Sequence, residues 1–552
     1  MLRQGNERGK LTGGMILLTV LFLLALVPGS MVPRAGAQQA GQAGPTTWRI
    51  SGKAVDALSG APLGRCSVEI EPTENGGATR SVETGGDGLF AFDGVAEGKY
   101  RLSASKRGYL PQAYEQHDNF STAIVVRSGL ESEGLIFKVV PQAIITGVVT
   151  DEHGDPVRRA QVRLFKDEDR AGIRSTVQRQ TAMTDDRGVY ELARIDPGNY
   201  YLAISGRPWY AQNASHGQPS EKQGEEPASP LDVAYATTFY PQATNSEDAT
   251  PIPIRGGERI QADVTLNAQQ AVHIRIPLPA HDQESGFGLT VSQSIFGQVE
   301  PLNSFGETTQ NGVMEIVGIL PGHYDFTLEH HGPGGPMTES THFSGDVTSN
   351  SNELTPVDEE SEVTVTGKVT SVDGKVPSGG IALLPVHQGR THPAMLDKGG
   401  EFNVKVPPGD YEILGQIPQM YLARLTAQDG VVKNRVLTVK AGSSPKLELL
   451  ASRGFGQVDG VVKRGDQPAS GVMVLLAPDD NPFLFRRDQS DSDGTFTLGN
   501  IVPGRYRLLA VERGWELEWA NRDVLNAFLK KSVPVEVRAN DRLTRTVEVQ
   551  SR

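Results

Sequence analysis

The chain has 552 residues, with 53 basic and 66 acidic side chains for a net charge of −13, and 38% apolar against 22% charged residues. Such a length suggests three or four domains of roughly 150 residues, and the composition is that of a globular chain rather than a disordered one. The acidic balance excludes a nucleic-acid partner, which needs a basic footprint to neutralise phosphates, and a single cysteine excludes a disulfide-stapled scaffold.

Arg3, Arg8 and Lys10 precede the 13-residue apolar run Met15 to Val27, and Ala35-Gly36-Ala37 follows. The run is short of the roughly 20 residues a membrane helix needs. Residues 1–37 therefore read as a secretory signal cleaved before Gln38, with an uncleaved N-terminal anchor as the alternative. Membrane attachment is expected only through that segment if it is kept. The mature chain is then still more acidic, at −16, and the expected location is secreted, periplasmic or cell-envelope.

One pattern recurs along the rest of the chain: a Gly turn, an aromatic or apolar strand, and a second Gly turn ending in Tyr. It reads Asp87-Gly88-Leu89-Phe90 to Tyr100, Arg187-Gly188-Val189-Tyr190 to Tyr200, Asn311-Gly312-Val313-Met314 to Tyr324, Gly399-Gly400-Glu401-Phe402 to Tyr411, and Asp493-Gly494-Thr495-Phe496 to Tyr506. The Gly-to-Tyr offset is 12, 12, 12, 11 and 12. An upstream strand repeats around Gly52, Gly147, Gly367 and Gly460, and is degenerate in the third copy, which enters through Val272-His273-Ile274-Arg275-Ile276.

Alternating apolar and polar positions in these runs fit half-buried antiparallel strands. Asp-Gly and Asn-Gly make hairpin turns, and Pro-Gly is expected to close the next turn with Gly in the left-handed position. The Tyr that follows should act as a tyrosine corner, its ring inward and its hydroxyl on a backbone group. The fold class is therefore all-β, a tandem array of five antiparallel β-sandwiches at 48–140, 141–268, 269–356, 357–452 and 453–552. Cys66 falls where Ala160, Ile381 and Val472 stand in other units, so it should face the core. The second unit carries a polar insert at 206–232, read as a loop, and the spacing of Val524, Leu525 and Phe528 predicts a short helix within Asn521 to Lys531.

The I-x-G-x-V strand, x-G-x-F turn and P-G-x-Y turn, repeated behind a signal peptide, resemble the carboxypeptidase regulatory-like domain, a transthyretin-like, Ig-like sandwich. The resemblance implies a secreted bacterial protein of carbohydrate-binding-like fold. It does not imply peptidase activity, since that module is not the catalytic part of the enzymes it is named for.

No catalytic, cofactor or metal residues are expected. His281-Asp282-Gln283-Glu284 matches the H-x-x-E of a zinc carboxypeptidase but stands in a Gly/Pro-flanked loop without a nearby third ligand, so no peptidase activity is expected with or without zinc. His330, His331 and His342 read as solvated histidines. Asp491-Ser492-Asp493-Gly494 is half a calcium loop without the closing Glu, better explained as a hairpin turn. The candidate ligand-binding residues are Trp209, Tyr210, Trp515 and Trp519, because flat sugar faces stack on exposed rings. The expected function is a non-catalytic binding protein for carbohydrate or cell-surface polysaccharide. The alternatives are a structural or assembly protein of the cell envelope acting through protein contacts, and an accessory chain of a hydrolase.

Overall fold

The computed structural model describes residues 47–551 apart from 75–76, 171, 212–229, 279–285, 303–304, 311, 332–336, 349–353, 355–361, 387–390, 480 and 482–483. The signal segment, the His281–Glu284 string and most of the polar insert of the second unit lie outside the described residues. The side chains of His330, His331 and His342 do as well.

Strands form where side-chain alternation gives one face to a core. Val363–Ser371 alternates buried and exposed along its whole length. In unit one the first strand, Trp48–Asp56, pairs antiparallel with Leu89–Val95 and parallel with Leu135–Val139. The facing layer orders Arg80–Glu83, Ser67–Pro72 and Gly98–Ser105, with Gln112–Ala113 and Ile124–Val126 on the outer edge of the last. Units two, four and five repeat the scheme. Their first strands, Ala143–Thr150, Val363–Ser371 and Gly456–Arg464, each lie between the antiparallel strand after the Gly turn and a parallel strand from the end of the unit. A parallel neighbour demands a crossover, so each of these sandwiches closes only when its last strand returns beside its first. In unit five that last strand, Arg542–Gln550, also reaches Gly504–Val511 and joins the two layers. Each sandwich encloses its own apolar cluster. Cys66 is fully buried in the first of them, and burial pushes its thiol up.

The repeated Gly of the first strand has a steric cause. Gly52, Gly147, Gly367 and Gly460 face Phe90, Tyr190, Phe402 and Phe496 across the antiparallel pair. A Cβ at these positions would lie 2.2 Å from Leu135 O, 2.0 Å from Ala262 O, 2.4 Å from Phe402 Cζ and 2.0 Å from Arg545 O. The aromatic ring and the returning chain both crowd the space that a side chain would need. In unit three both requirements are gone together: Ile276 faces Met314, and no parallel strand flanks Val272–Pro277 among the described residues. The degenerate repeat is thus a coupled replacement, ring and glycine lost at once.

The five corner tyrosines behave alike. Tyr100, Tyr200, Tyr324, Tyr411 and Tyr506 are all buried, and each hydroxyl donates to the carbonyl four residues earlier, at Ala96, Asp196, Leu320, Pro407 and Val502. The turn before them differs from expectation. Gly98 and Gly198 sit at φ 156°, and Gly322, Gly409 and Gly504 have no positive φ. In those last three a Cβ would sit 3.4 to 3.5 Å from the tyrosine ring, an ordinary contact, so neither a left-handed turn nor crowding accounts for the glycine there.

From Thr47 onward the chain forms one compact unit, so the sandwiches pack on one another. Phe296 of unit three wedges against Phe165, Tyr201 and Phe239 of unit two, with ring centroids 5.0 to 5.5 Å apart. The helix Arg522–Leu529, capped by Asn521, lays Leu525 and Phe528 on the outer face of unit five beside Met473, Leu509 and Trp519.

Unit four buries a carboxylate. Glu412 is 1% exposed and lies beside the half-buried Arg435, whose Nη1 donates to Leu422 O at 2.9 Å. Burial pushes Glu412 up to about 7, and the Arg435 charge only partly opposes it. The folded chain therefore holds this proton more tightly than the unfolded chain, where a Glu titrates near 4.5. The stability this contributes is fully present below about pH 4.5 and is lost as pH rises through about 7. Glu412→Gln cannot ionise, so its melting temperature should gain on the wild type between pH 4.5 and pH 7. A melting-temperature difference that stays constant over that range would refute this account.

Candidate functional site

The four candidate aromatics fall into two places with opposite surroundings. Trp209 and Tyr210 follow the strand Gly198–Ser205 of unit two. Trp209 is 78% exposed and meets Tyr210 edge to face at 5.8 Å. Tyr210 is anchored, its hydroxyl donating to the Glu152 carboxylate. Burial first, and then that carboxylate, pushes the Tyr210 hydroxyl up to about 12.

Trp515 and Trp519 do not form an open platform. Trp519 is 7% exposed, and Arg487 lies over its ring at 4.5 Å. The hairpin tip of unit two also approaches Trp519 so closely that a Cβ on Gly172 would lie 2.5 Å from the indole. Trp515 is half-buried, with His117 of unit one stacked on it at 5.3 Å and 7° and Phe120 tilted at 5.2 Å. Trp519 is covered because unit two reaches unit five at Gly172, and Trp515 because unit five folds back onto unit one.

That return is a built joint. The turn after Arg486–Gln489 extends the edge of unit one beside Ile124–Val126. Ser492 N donates to Ala123 O at 3.0 Å, and Val125 N donates to Ser492 Oγ at 2.8 Å. Asp491 accepts from Ala123 N at 3.1 Å and from Lys99 Nζ at 2.5 Å. Asp493 pairs with Arg127 at 3.1 Å, and Arg487 with Asp118 at 3.5 Å. Gln489 donates to Glu115 O at 2.7 Å and to Thr122 Oγ1 at 2.9 Å, while His117 Nδ1 stands 3.0 Å from its Oε1. Arg487 also covers Phe120 at 5.2 Å and Trp515 at 5.6 Å, so cations of each unit meet rings or carboxylates of the other.

The joint explains the half calcium loop. Asp491 and Asp493 pair with Lys99 and Arg127. Burial raises both Asp488 and Asp491, Asp488 to about 6, and Lys99 works against the rise at each. Among the described residues no group of three or more His, Cys, Asp or Glu side chains is placed to hold a metal ion. No described helix is long and apolar enough to cross a membrane.

His117, Phe120, Arg487 and Gln489 were not marked by the sequence. They belong to turns and edges with no repeat signature, and the contact spans more than 360 residues. The indoles did stand out, but their packing partners did not.

Residues 49–129 and 144–225 match the carboxypeptidase regulatory-like domain, and residues 452–537 match the second β-sandwich domain of the BOS complex subunit NOMO1-like family. No curated protein matches the chain. Among solved structures, a streptococcal ancillary pilin is 15% identical, over 50% of this chain and 98% of its own, with a TM-score of 0.20. The minor pilin GBS52 of Streptococcus agalactiae is 13% identical over 43% of this chain and 99% of its own, with a TM-score of 0.20. The Bacillus anthracis TIE protein is 10% identical over 93% of this chain and 76% of its own, with a TM-score of 0.16. With sandwiches, repeated turns and corner tyrosines in place, the chain is a tandem β-sandwich protein whose first two units are carboxypeptidase regulatory-like domains.

Proposed function

We propose that this chain is a non-catalytic scaffold that acts outside the cytoplasm, holds its sandwiches in a fixed arrangement and presents unit two to a carbohydrate of the cell surface. The observation that carries the proposal is the division of the aromatics. Trp515 and Trp519 are used as internal joint, whereas Trp209 faces solvent with its neighbour Tyr210 anchored on Glu152. An exposed indole on a braced loop is the surface on which an apolar sugar face stacks. A second reading has support of its own. In unit four, Glu401–Val406 and Tyr421–Gln428 end their sheet on either side, and such edges can take up a strand from a protein partner.

A glycan array run with the wild type and Trp209→Ala, beside a pull-down from envelope extract, separates the two. Glycan binding that is lost in Trp209→Ala supports the first. Silence on glycans, with equal capture of one envelope protein by both forms, replaces it with the second.

A further inference from the structure

The repeats allow one position to be compared across units. Arg80, Gln180, His392 and Arg486 occupy the same place. Each faces a core residue, Ile70, Leu164, Leu383 or Leu476, that on its other side faces the residue two past the corner tyrosine. This place lies at the seam between the two layers. In unit one Arg80 fills it, donating to Asp93 O at 2.8 Å and covering the Phe92 ring. In unit five Arg486 fills it too, donating to Asn500 O at 3.1 and 2.9 Å. In unit four His392 stands edge-on to Tyr411 at 5.8 Å.

Unit two differs. Gln180 is shorter than Arg, and its amide reaches Ala193 O at 3.1 Å. The seam is left open as a cleft of about 290 Å³, lined by Leu164, Tyr200, Arg179, Gln180, Arg194 and Asp196 among others. That volume lies at the lower limit of small-molecule sites, which start at about 300 Å³.

The charges select the ligand. Asp196 is already compensated: its carboxylate accepts from Lys166 and, at 2.7 Å, from Tyr200 Oη. Burial alone would raise Asp196, but these hydrogen bonds outweigh it and hold the carboxyl below its usual range. Arg179 pairs with Glu168 at 3.4 Å. Arg194 has no ion pair among the described residues and stands exposed on a bulge at φ 59°. The cleft therefore presents one uncompensated guanidinium beside the Gln180 amide. A guanidinium matches a carboxylate in two parallel hydrogen bonds.

We propose that the unit-two cleft binds the carboxylate of a monosaccharide-sized ligand, with Arg194 taking the charge and Arg179 and Gln180 bordering it. Two sources share that chemistry, a uronic acid residue and the free carboxylate of an amino acid or peptide. The site is independent of Trp209, so Trp209→Ala should leave it intact and the two proposals can fail separately.

Saturation-transfer NMR on the full chain, with glucuronate, glucose and N-acetylalanine as probes, tests it. Glucuronate or N-acetylalanine should give signal, whichever carries the preferred scaffold, and glucose should not. Arg194→Ala should weaken that binding at least tenfold, a loss of about 1.4 kcal/mol. Gln180→Arg should abolish it while keeping the melting temperature, because units one and five already carry Arg at this place. Binding of glucose equal to glucuronate, no binding of either acid, or equal binding by both variants would overturn the proposal.

Discussion

Gly460→Ala is expected to unfold the fifth sandwich at a much lower temperature than the wild type. The added Cβ would stand 2.0 Å from Arg545 O and 2.6 Å from Phe496 Cζ. One obstacle is backbone and the other is the ring that seals the core, so neither yields by rotating a flexible side chain. The first strand must move away from the parallel strand Arg542–Gln550, which also joins the two layers of this unit. Overpacking alone costs about 1–3 kcal/mol, and weakening the parallel ladder adds to it. A loss of about 3 kcal/mol lowers the melting of a domain this size by roughly 10–20 °C. Gly499→Ala is the control, because nothing stands within 4 Å of its Cβ. Calorimetry showing Gly460→Ala within two or three degrees of that control would disprove the account of the repeated glycine.

The second large effect concerns the joint between units one and five. Arg487→Ala combined with Asp491→Ala removes the cation from three aromatic rings and the carboxylate from Lys99. Truncating one partner of a buried hydrogen-bonded charge pair costs about 2–5 kcal/mol of association. Lys99 and Arg127 keep partial access to solvent, which screens part of that cost. Neither substitution touches the interior cluster of a sandwich. Far-UV circular dichroism should therefore be unchanged, while small-angle scattering shows a larger radius of gyration. Trp515 should become more accessible to iodide quenching as His117 and Phe120 leave its faces. An unchanged radius of gyration together with unchanged quenching would mean that other contacts hold the units together.

Much of this protein was legible in local chemistry. The Gly turns, the corner tyrosines, the buried place of Cys66 and the helix near Asn521 all depend on residues within about a dozen positions. There the backbone conformation of Gly and the alternation of side chains decide the outcome. The open cleft was also within reach: counted back from the corner tyrosine, Arg80, Gln180 and Arg486 stand at the same offset. Its emptiness still needed the fold, because only the seam between two layers shows what the shorter side chain fails to fill. The reason for Gly52, Gly147, Gly367 and Gly460 was likewise hidden, since the strand that crowds them arrives from the far end of each unit.

The fate of Trp515 and Trp519 belongs wholly to the tertiary structure. In sequence they are two indoles after a corner strand, equivalent in promise to Trp209 and Tyr210. The meeting of Gln489 with Thr122, 367 residues apart, brings unit one onto Trp515, the tip of unit two at Gly172 closes over Trp519, and Trp209 stays in water. Residue type and spacing determine which side chains can stack. Which face of a ring is taken depends on contacts between units, and these carry no periodicity for a sequence to display.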